Sequence, residues 1–490
     1  MRWASYIGWL IPGLVALLGT VVLKIWLFHD PVPDLVMHVP GMDGEPAPGT
    51  VVATVQIGSD FRAGDGLPSA DPGSWPGFRG AVSRHGDTDA VALADRWEDD
   101  QPRVQWQIAL GEGHAGAAIH RGRVYVLDYD ETLRRDVLRC LSLDDGREIW
   151  QRGYRVEVAR NHGMSRTVPA VTDRHVVTIG PRCHVMCVDA GSGDLLWGID
   201  LVAEYGTEIP MWYAGQCPLI VDDVAILAPA GDAVLLMGVS CATGEVLWKT
   251  PNIHELGMSH ASITPAVIAG VSQFIYAGLG GMAGVAAEGE RTGELLWFAP
   301  QWDRSVIAPS PVHLGNGRIL VTAGYGGGSM LLNVTCQGGS FQVETLDTFR
   351  ANQGLASEQQ TPVLAGGLLF GVLPNDAGPL RNQLVCVNPD NVRDYLWTSG
   401  RERRFGLGPY LHADGKLYVL SDDGILHMLE ATAGGYRERG RKQILDGHDA
   451  WGPMALAAGR LVLRDDTRMV CVDLRQGIPD ETQDKTQDEP

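Results

Sequence analysis

Short apolar runs broken by polar, Gly-containing turns recur along this chain, most plainly at Cys187 to Trp197, CVDAGSGDLLW. This stretch predicts a strand, a turn centred on Gly193 and a second strand ending in tryptophan. The same phrase stands at Cys140–Trp150 (CLSLDDGREIW), Gly238–Trp248 (GVSCATGEVLW) and Ala287–Trp297 (AEGERTGELLW). In each copy a glycine lies four positions before the tryptophan: Gly146, Gly193, Gly244 and Gly293. A turn with positive φ explains the glycine, which adopts it without steric cost. The residue pair before each tryptophan is apolar but for Glu148, which suits a pleated, half-buried strand.

The spacing of these tryptophans predicts the architecture. Trp150, Trp197, Trp248 and Trp297 follow one another at 47, 51 and 49 residues, and Trp397 comes 100 later, at the end of a looser copy, Cys386–Trp397. That double interval hides a degenerate unit near Gln342–Thr348. Trp106 precedes Trp150 by 44 residues. A unit lacking its tryptophan runs through Tyr418–Leu429 and Arg441–Leu445, and Arg460–Leu474 supplies two more strands. A period of this size reads as a four-stranded propeller blade. The unpaired strand around Trp106 and the last C-terminal strands would complete one blade together, closing the ring. The expected fold is an all-β, eight-bladed β-propeller over residues 74–475. Trp106, Trp150, Trp197, Trp248, Trp297 and Trp397, with the four repeat glycines, are expected to dock one blade on the next.

The N-terminal part reads differently. After a stub at 1–6, residues 7–28 are apolar apart from Thr20 and Lys24 and would make a helix of about 33 Å, long enough to span a bilayer. Arg2 before the span and acidic residues after it place the N-terminus in the cytoplasm. The expectation is a single-pass anchor in the cytoplasmic membrane, its propeller facing the periplasm or outside. A cleaved signal peptide is the alternative, though no small-x-small cleavage site follows the apolar run. Residues 29–73, rich in Pro, Gly and Asp, read as a linker with a short strand at Val51–Ile57. Residues 476–490 read as a disordered polar tail.

The net charge of −20 argues against a nucleic-acid partner. The eight cysteines do not form a disulfide framework: Cys140, Cys187, Cys386 and Cys471 recur at one blade position, where a small apolar side chain packs against the next blade. No long exposed apolar stretch points to a permanent oligomer, so the propeller is expected to be monomeric.

Candidate chemistry sits in the loops that lead into each blade's first strand. In order they carry Glu112 and His114; Asn161, His162 and Arg166; Trp212 and Tyr213; Met258 and His260; Asp303 and Arg304; Glu358 and Gln359; Arg404; and His448, Asp449 and Trp451. Equivalent loops converge on one rim of a ring, so these side chains form a candidate ligand site at the channel mouth. A metal site would need at least three of His114, His162, His260 and His448 around one point. Polar side chains that merely satisfy loop backbone are the bland alternative.

The strand–turn–strand phrase ending in tryptophan resembles the repeat of pyrroloquinoline-quinone-type (PQQ-like) β-propellers. Trp75-Pro76-Gly77-Phe78-Arg79-Gly80 resembles the W-P-x-F-R-G lead-in of bacterial members. The match covers roughly Trp75 to Leu474 and implies the fold without choosing a function, since the family includes quinoprotein dehydrogenases and a non-catalytic, BamB-like outer-membrane assembly scaffold. Two classes stay open. One is a membrane-tethered scaffold that binds a protein, peptide or glycan. The other is an oxidoreductase holding pyrroloquinoline quinone with calcium. The resemblance implies, for a dehydrogenase, a calcium site of Glu and Asn near a catalytic Asp, and usually a vicinal disulfide; no adjacent Cys-Cys exists here, and no motif assigns Glu112, Asn161 and Asp303 to those roles. A hydrolase using the rim histidines is a more distant reading.

Overall fold

The computed structural model describes residues 16–24, 55–71, 73–80, 91–97, 101–447 and 449–476. The chain divides into two compact units, Met1–Asp43 and Gly44–Pro490. In the first, residues 16–24 are helical. Nine residues at 1.5 Å each extend about 14 Å, under half of the roughly 30 Å apolar core of a bilayer. Among the described residues no helix is long and apolar enough to cross a membrane. The expected span over 7–28 is therefore corrected, and the single-pass location in the cytoplasmic membrane falls with it. The apolar run set only how long a helix might be, and the helix described is too short. The remainder of that stretch lies outside the described residues.

In the second unit the strands described form eight antiparallel sheets, as the tryptophan period predicts. Inner strands Ala118–His120, Ala170–Val171, Leu219–Val221, Thr264–Ile268, Val312–Gly315, Val363–Ala365, Tyr410–Ala413 and Ala455–Ala457 face the centre and neighbour one another around the ring. The eighth blade joins both ends of the ring: Arg103–Ala109 pairs as outermost strand with Arg468–Asp473, in the order N-terminal strand, then three C-terminal strands. This leaves no open end to the circle, so no blade has an unpacked face.

The repeat glycine and tryptophan interlock between blades. Trp150 packs against the turn of the next blade, where a Cβ on Gly193 would sit 2.6 Å from its ring. The same relation holds for Gly146 under Trp106, Gly244 under Trp197 and Gly293 under Trp248. All four glycines have φ between 69° and 84°, so the position excludes side chains twice over, by conformation and by contact. The indole N–H of Trp106, Trp150 and Trp197 donates to the carbonyl of Leu143, Gly191 and Cys241 in the neighbouring turn, at 2.8–3.0 Å. Trp297 and Trp397 instead donate to Gln273 Oε1 and the Thr432 carbonyl. Cys140, Cys187, Cys386 and Cys471 stand directly opposite Trp150, Trp197, Trp397 and Trp106 in register. These cysteines are buried and free.

The residues before Trp106 do more than lead in. A short strand lies at Asp60–Ala63 and extends the first blade outward by pairing with Glu148–Arg155, while of the expected strand at Val51–Ile57 the described residues 55–57 are not in a strand. Residues 51–54 lie outside the described residues. Ser74–Trp75 extends the same blade inward, pairing with Ala118–His120 on the channel side. From there the WPGFRG segment crosses the channel. The Pro76 carbonyl accepts from Val171 N–H of blade two at 2.8 Å, and Arg79 donates to the Pro362 carbonyl, just ahead of blade six, at 3.0 Å. Trp75 is 2% exposed. The segment is a plug.

Candidate functional site

Every candidate loop precedes an inner strand, and the plug closes the channel beneath them. Between plug and rim lies a cavity of about 210 Å³. Of the expected rim residues, His114, His162, Arg166, Trp212, His260, Glu358, Gln359 and Trp451 line it. Phe78 of the plug lines it as well.

The other candidates are engaged elsewhere. Glu112 pairs with Arg160 at 2.5 Å. Asn161 contributes its carbonyl to Arg166. Tyr213 is fully buried, its hydroxyl donating to the Ala159 carbonyl at 2.9 Å. Arg304 lies over the Trp302 ring and donates to the Gly327 carbonyl. Arg404 donates to the Arg381 and Pro379 carbonyls. Asp449 is exposed and does not line the cavity. His448 lies outside the described residues.

Trp212 is the centre of one wall. It lies nearly parallel to His260 at 6.1 Å between ring centres, edge-on to His162 at 6.5 Å, and 5.7 Å from Tyr325. On another wall His114 meets Trp451 at 4.4 Å. Trp212, Tyr213, His162 and Tyr325 all hold positive φ, between 49° and 71°. Side-chain-bearing residues rarely adopt this conformation, which persists only where surrounding structure enforces it. Arg166 supplies part of that enforcement: its Nε donates to the Trp212 carbonyl at 2.6 Å, and one Nη donates to the Asn161, His162 and Gly163 carbonyls.

The electrostatics follow from enclosure. Burial, reinforced by Arg464 and Arg166, lowers the His114 pKa to about 2. Burial and then Arg166 lower His260 to about 4. Both imidazoles are neutral at physiological pH. Burial also depresses Arg166 itself, to about 10, which leaves it charged. Burial raises the Glu358 carboxyl above its ordinary value. Three polar atoms of the lining are buried without a hydrogen-bond partner among the described residues: His114 Nδ1, Trp451 Nε1 and Gln359 Oε1.

Residues that the loop motifs did not single out complete the wall. Cys217 and Ser262 line the cavity and belong to a belt of bonds running from loop to loop. Val168 N–H donates to Cys217 Sγ, Cys217 N–H to Ser262 Oγ, Ser262 N–H to Ser310 Oγ, and Ser310 N–H to Thr361 Oγ1. A sequence signal for part of it exists: Cys217, Ser310 and Thr361 each precede a proline at the end of their loops.

The donor set does not fit a quinone held over calcium. Calcium takes six to eight oxygen ligands. The cavity lining offers one carboxylate, Glu358; Glu112 is paired with Arg160, and neither Glu112 nor Asn161 lines the cavity. All eight cysteines are free. Nor do the histidines form a metal centre: among the described residues no three His, Cys, Asp or Glu side chains gather closely enough.

Eight sheets in a closed ring, docked by a tryptophan on a glycine turn, define a PQQ-type eight-bladed propeller. The chain belongs to the family described as outer membrane protein assembly factor BamB, whose model matches residues 134–395, just over half its length. No curated protein matches the chain by sequence. Among solved structures, a quinohemoprotein alcohol dehydrogenase from Pseudomonas putida is similar with a TM-score of 0.56 and 12% identity, covering 84% of this chain and 82% of that one. A quinohemoprotein alcohol dehydrogenase from Comamonas testosteroni gives 0.55 and 10%, covering 83% and 81%. BamB from Moraxella catarrhalis gives 0.48 and 13%, covering 75% and 98%. At such identities the likeness to the two dehydrogenases speaks for the fold alone.

Proposed function

We propose that this chain is a non-catalytic binding propeller that takes its ligand in the plugged cavity at the channel mouth. The observation that carries this reading is the composition of the cavity. It has aromatic walls, one arginine, one carboxyl and two histidines, His114 and His260, whose lowered pKa values make them weak bases. Such a lining holds and orients a ligand but offers no matched acid and base to transform it. The family's description as an assembly factor supports the same reading. The dehydrogenase reading draws on likeness of fold, and the donor set speaks against it.

The test is to incubate the purified chain with pyrroloquinoline quinone and calcium, then assay reduction of an artificial electron acceptor with short alcohols. No quinone-dependent turnover is expected. Turnover that is saturable in alcohol would sink the proposal.

A further inference from the structure

Among the described residues the other enclosed arginines either face acids or spend all three nitrogens on backbone carbonyls, as Arg464 does on those of Asp465, Ala115, Gly111 and Asp466, outside the cavity lining. Arg135 pairs with Asp60 and with Asp130, Arg139 with Asp128 and Glu148, and Arg460 with Asp71 and Asp144. Arg166 differs. Its four hydrogen bonds all go to backbone carbonyls, through Nε and one Nη. Among the described residues the other Nη has no acceptor, and the side chain lines the cavity. In a protein of net charge −20, an enclosed guanidinium without an acidic partner is an uncompensated charge. The carbonyls fix its plane and leave one edge of the fork turned to the cavity, where a planar oxyanion would complete it.

Around that charge the lining is chiefly rings. Trp212 stands beside Arg166, joined through its own carbonyl, and Trp451 and Phe78 supply further apolar faces. The left-handed backbone at Trp212 holds its indole at the rim at a conformational cost. His114, 5% exposed, adds an unpartnered Nδ1. About 210 Å³ is less than a drug-sized pocket of roughly 300–1,000 Å³. The ligand portion inside is small.

We propose that the cavity binds an aromatic ring bearing a carboxylate, with Arg166 receiving the carboxylate and Trp212 and Trp451 flanking the ring. This rests on the binding-propeller reading and names its ligand chemistry. The carboxylate comes either from a free aromatic acid or from the C-terminal residue of a peptide.

The experiment is calorimetric titration of the purified full chain with benzoate and benzamide, and with a short peptide ending in phenylalanine as free acid or amide. A charge-assisted bond of about 1.5–3 kcal/mol predicts benzoate tighter than benzamide by roughly ten- to a hundred-fold. Arg166→Gln should erase that preference, and Arg166→Lys should restore part of it. Because Arg166 also braces Trp212, a second variant avoids it: Ala308→Phe, on the lining loop ahead of Val312–Gly315, fills the space and should abolish binding without lowering the melting temperature. A tighter free-acid peptide would identify a chain terminus as the source; a weaker one, a free acid. Equal binding of benzoate and benzamide overturns the anion assignment but leaves a ligand cavity. No binding of either, or binding unaffected by Ala308→Phe, overturns the proposal. Quinone-dependent turnover would instead overturn the binding-propeller reading beneath it.

Discussion

Replacing Gly193 with alanine probes the blade interlock directly. Gly193 has φ of 74°, and the added Cβ would lie 2.6 Å from Trp150 Cδ2 and 2.7 Å from Cε3. The left-handed backbone costs a side chain about 1–2 kcal/mol. Forcing a methyl group into a packed indole adds about 1–3 kcal/mol, because Trp150 is 2% exposed and tied by its N–H to Gly191. The expected loss is therefore about 2–5 kcal/mol. Gly270→Ala is the matched control: its φ is 76°, yet a Cβ there meets nothing within 4 Å. It should lose only the backbone share, about 1–2 kcal/mol. Urea unfolding followed by far-ultraviolet circular dichroism compares the two. In a Trp150→Leu background the extra penalty at Gly193 should shrink, giving a favourable coupling between the sites. Equal losses at Gly193 and Gly270, or no coupling to Trp150, would refute the claim that the glycine is there for the tryptophan.

Two further outcomes are expected. Trp197→Ala should cost about 3–5 kcal/mol by opening a cavity against the Gly244 turn and freeing the Cys241 carbonyl, and an unchanged unfolding midpoint would deny Trp197 a docking role. Asp136 is 1% exposed, and burial raises its carboxyl to about 7, although Tyr154 donates to it at 2.8 Å. The unfolded chain releases this proton near pH 4, so the native state is progressively destabilised as pH rises from about 4 to about 7, by roughly 4 kcal/mol at most. Asp136→Asn should remove that slope and raise the melting temperature more at pH 8 than at pH 5. A benefit independent of pH would show that the carboxyl is not protonated in the fold.

How much was legible beforehand differs by element. The tryptophan interval yields eight blades and their closure through Trp106, because each blade repeats one local strand–turn–strand geometry that its own residues encode. The eight loops were legible as a set, since each precedes an inner strand. Which of their side chains meet was not. Glu112 turns to Arg160 and Tyr213 into the interior, whereas His114 and Trp451, over three hundred residues apart, come within 4.4 Å between ring centres. The apolar stretch near the N-terminus misled, because hydropathy measures what a helix would tolerate and says nothing of how long the helix is.

By itself, then, the sequence determined the repeat, the ring and the rim on which chemistry would gather, since these follow from local periodicity and turn stereochemistry. Only the tertiary structure decided that WPGFRG plugs the channel, that Cys217 and Ser262 join a belt around it, and that Arg166 ends beside aromatic rings without an acid. Those outcomes depend on contacts between loops distant along the chain. Their partners are chosen by the closure of the ring, and no window of sequence contains it.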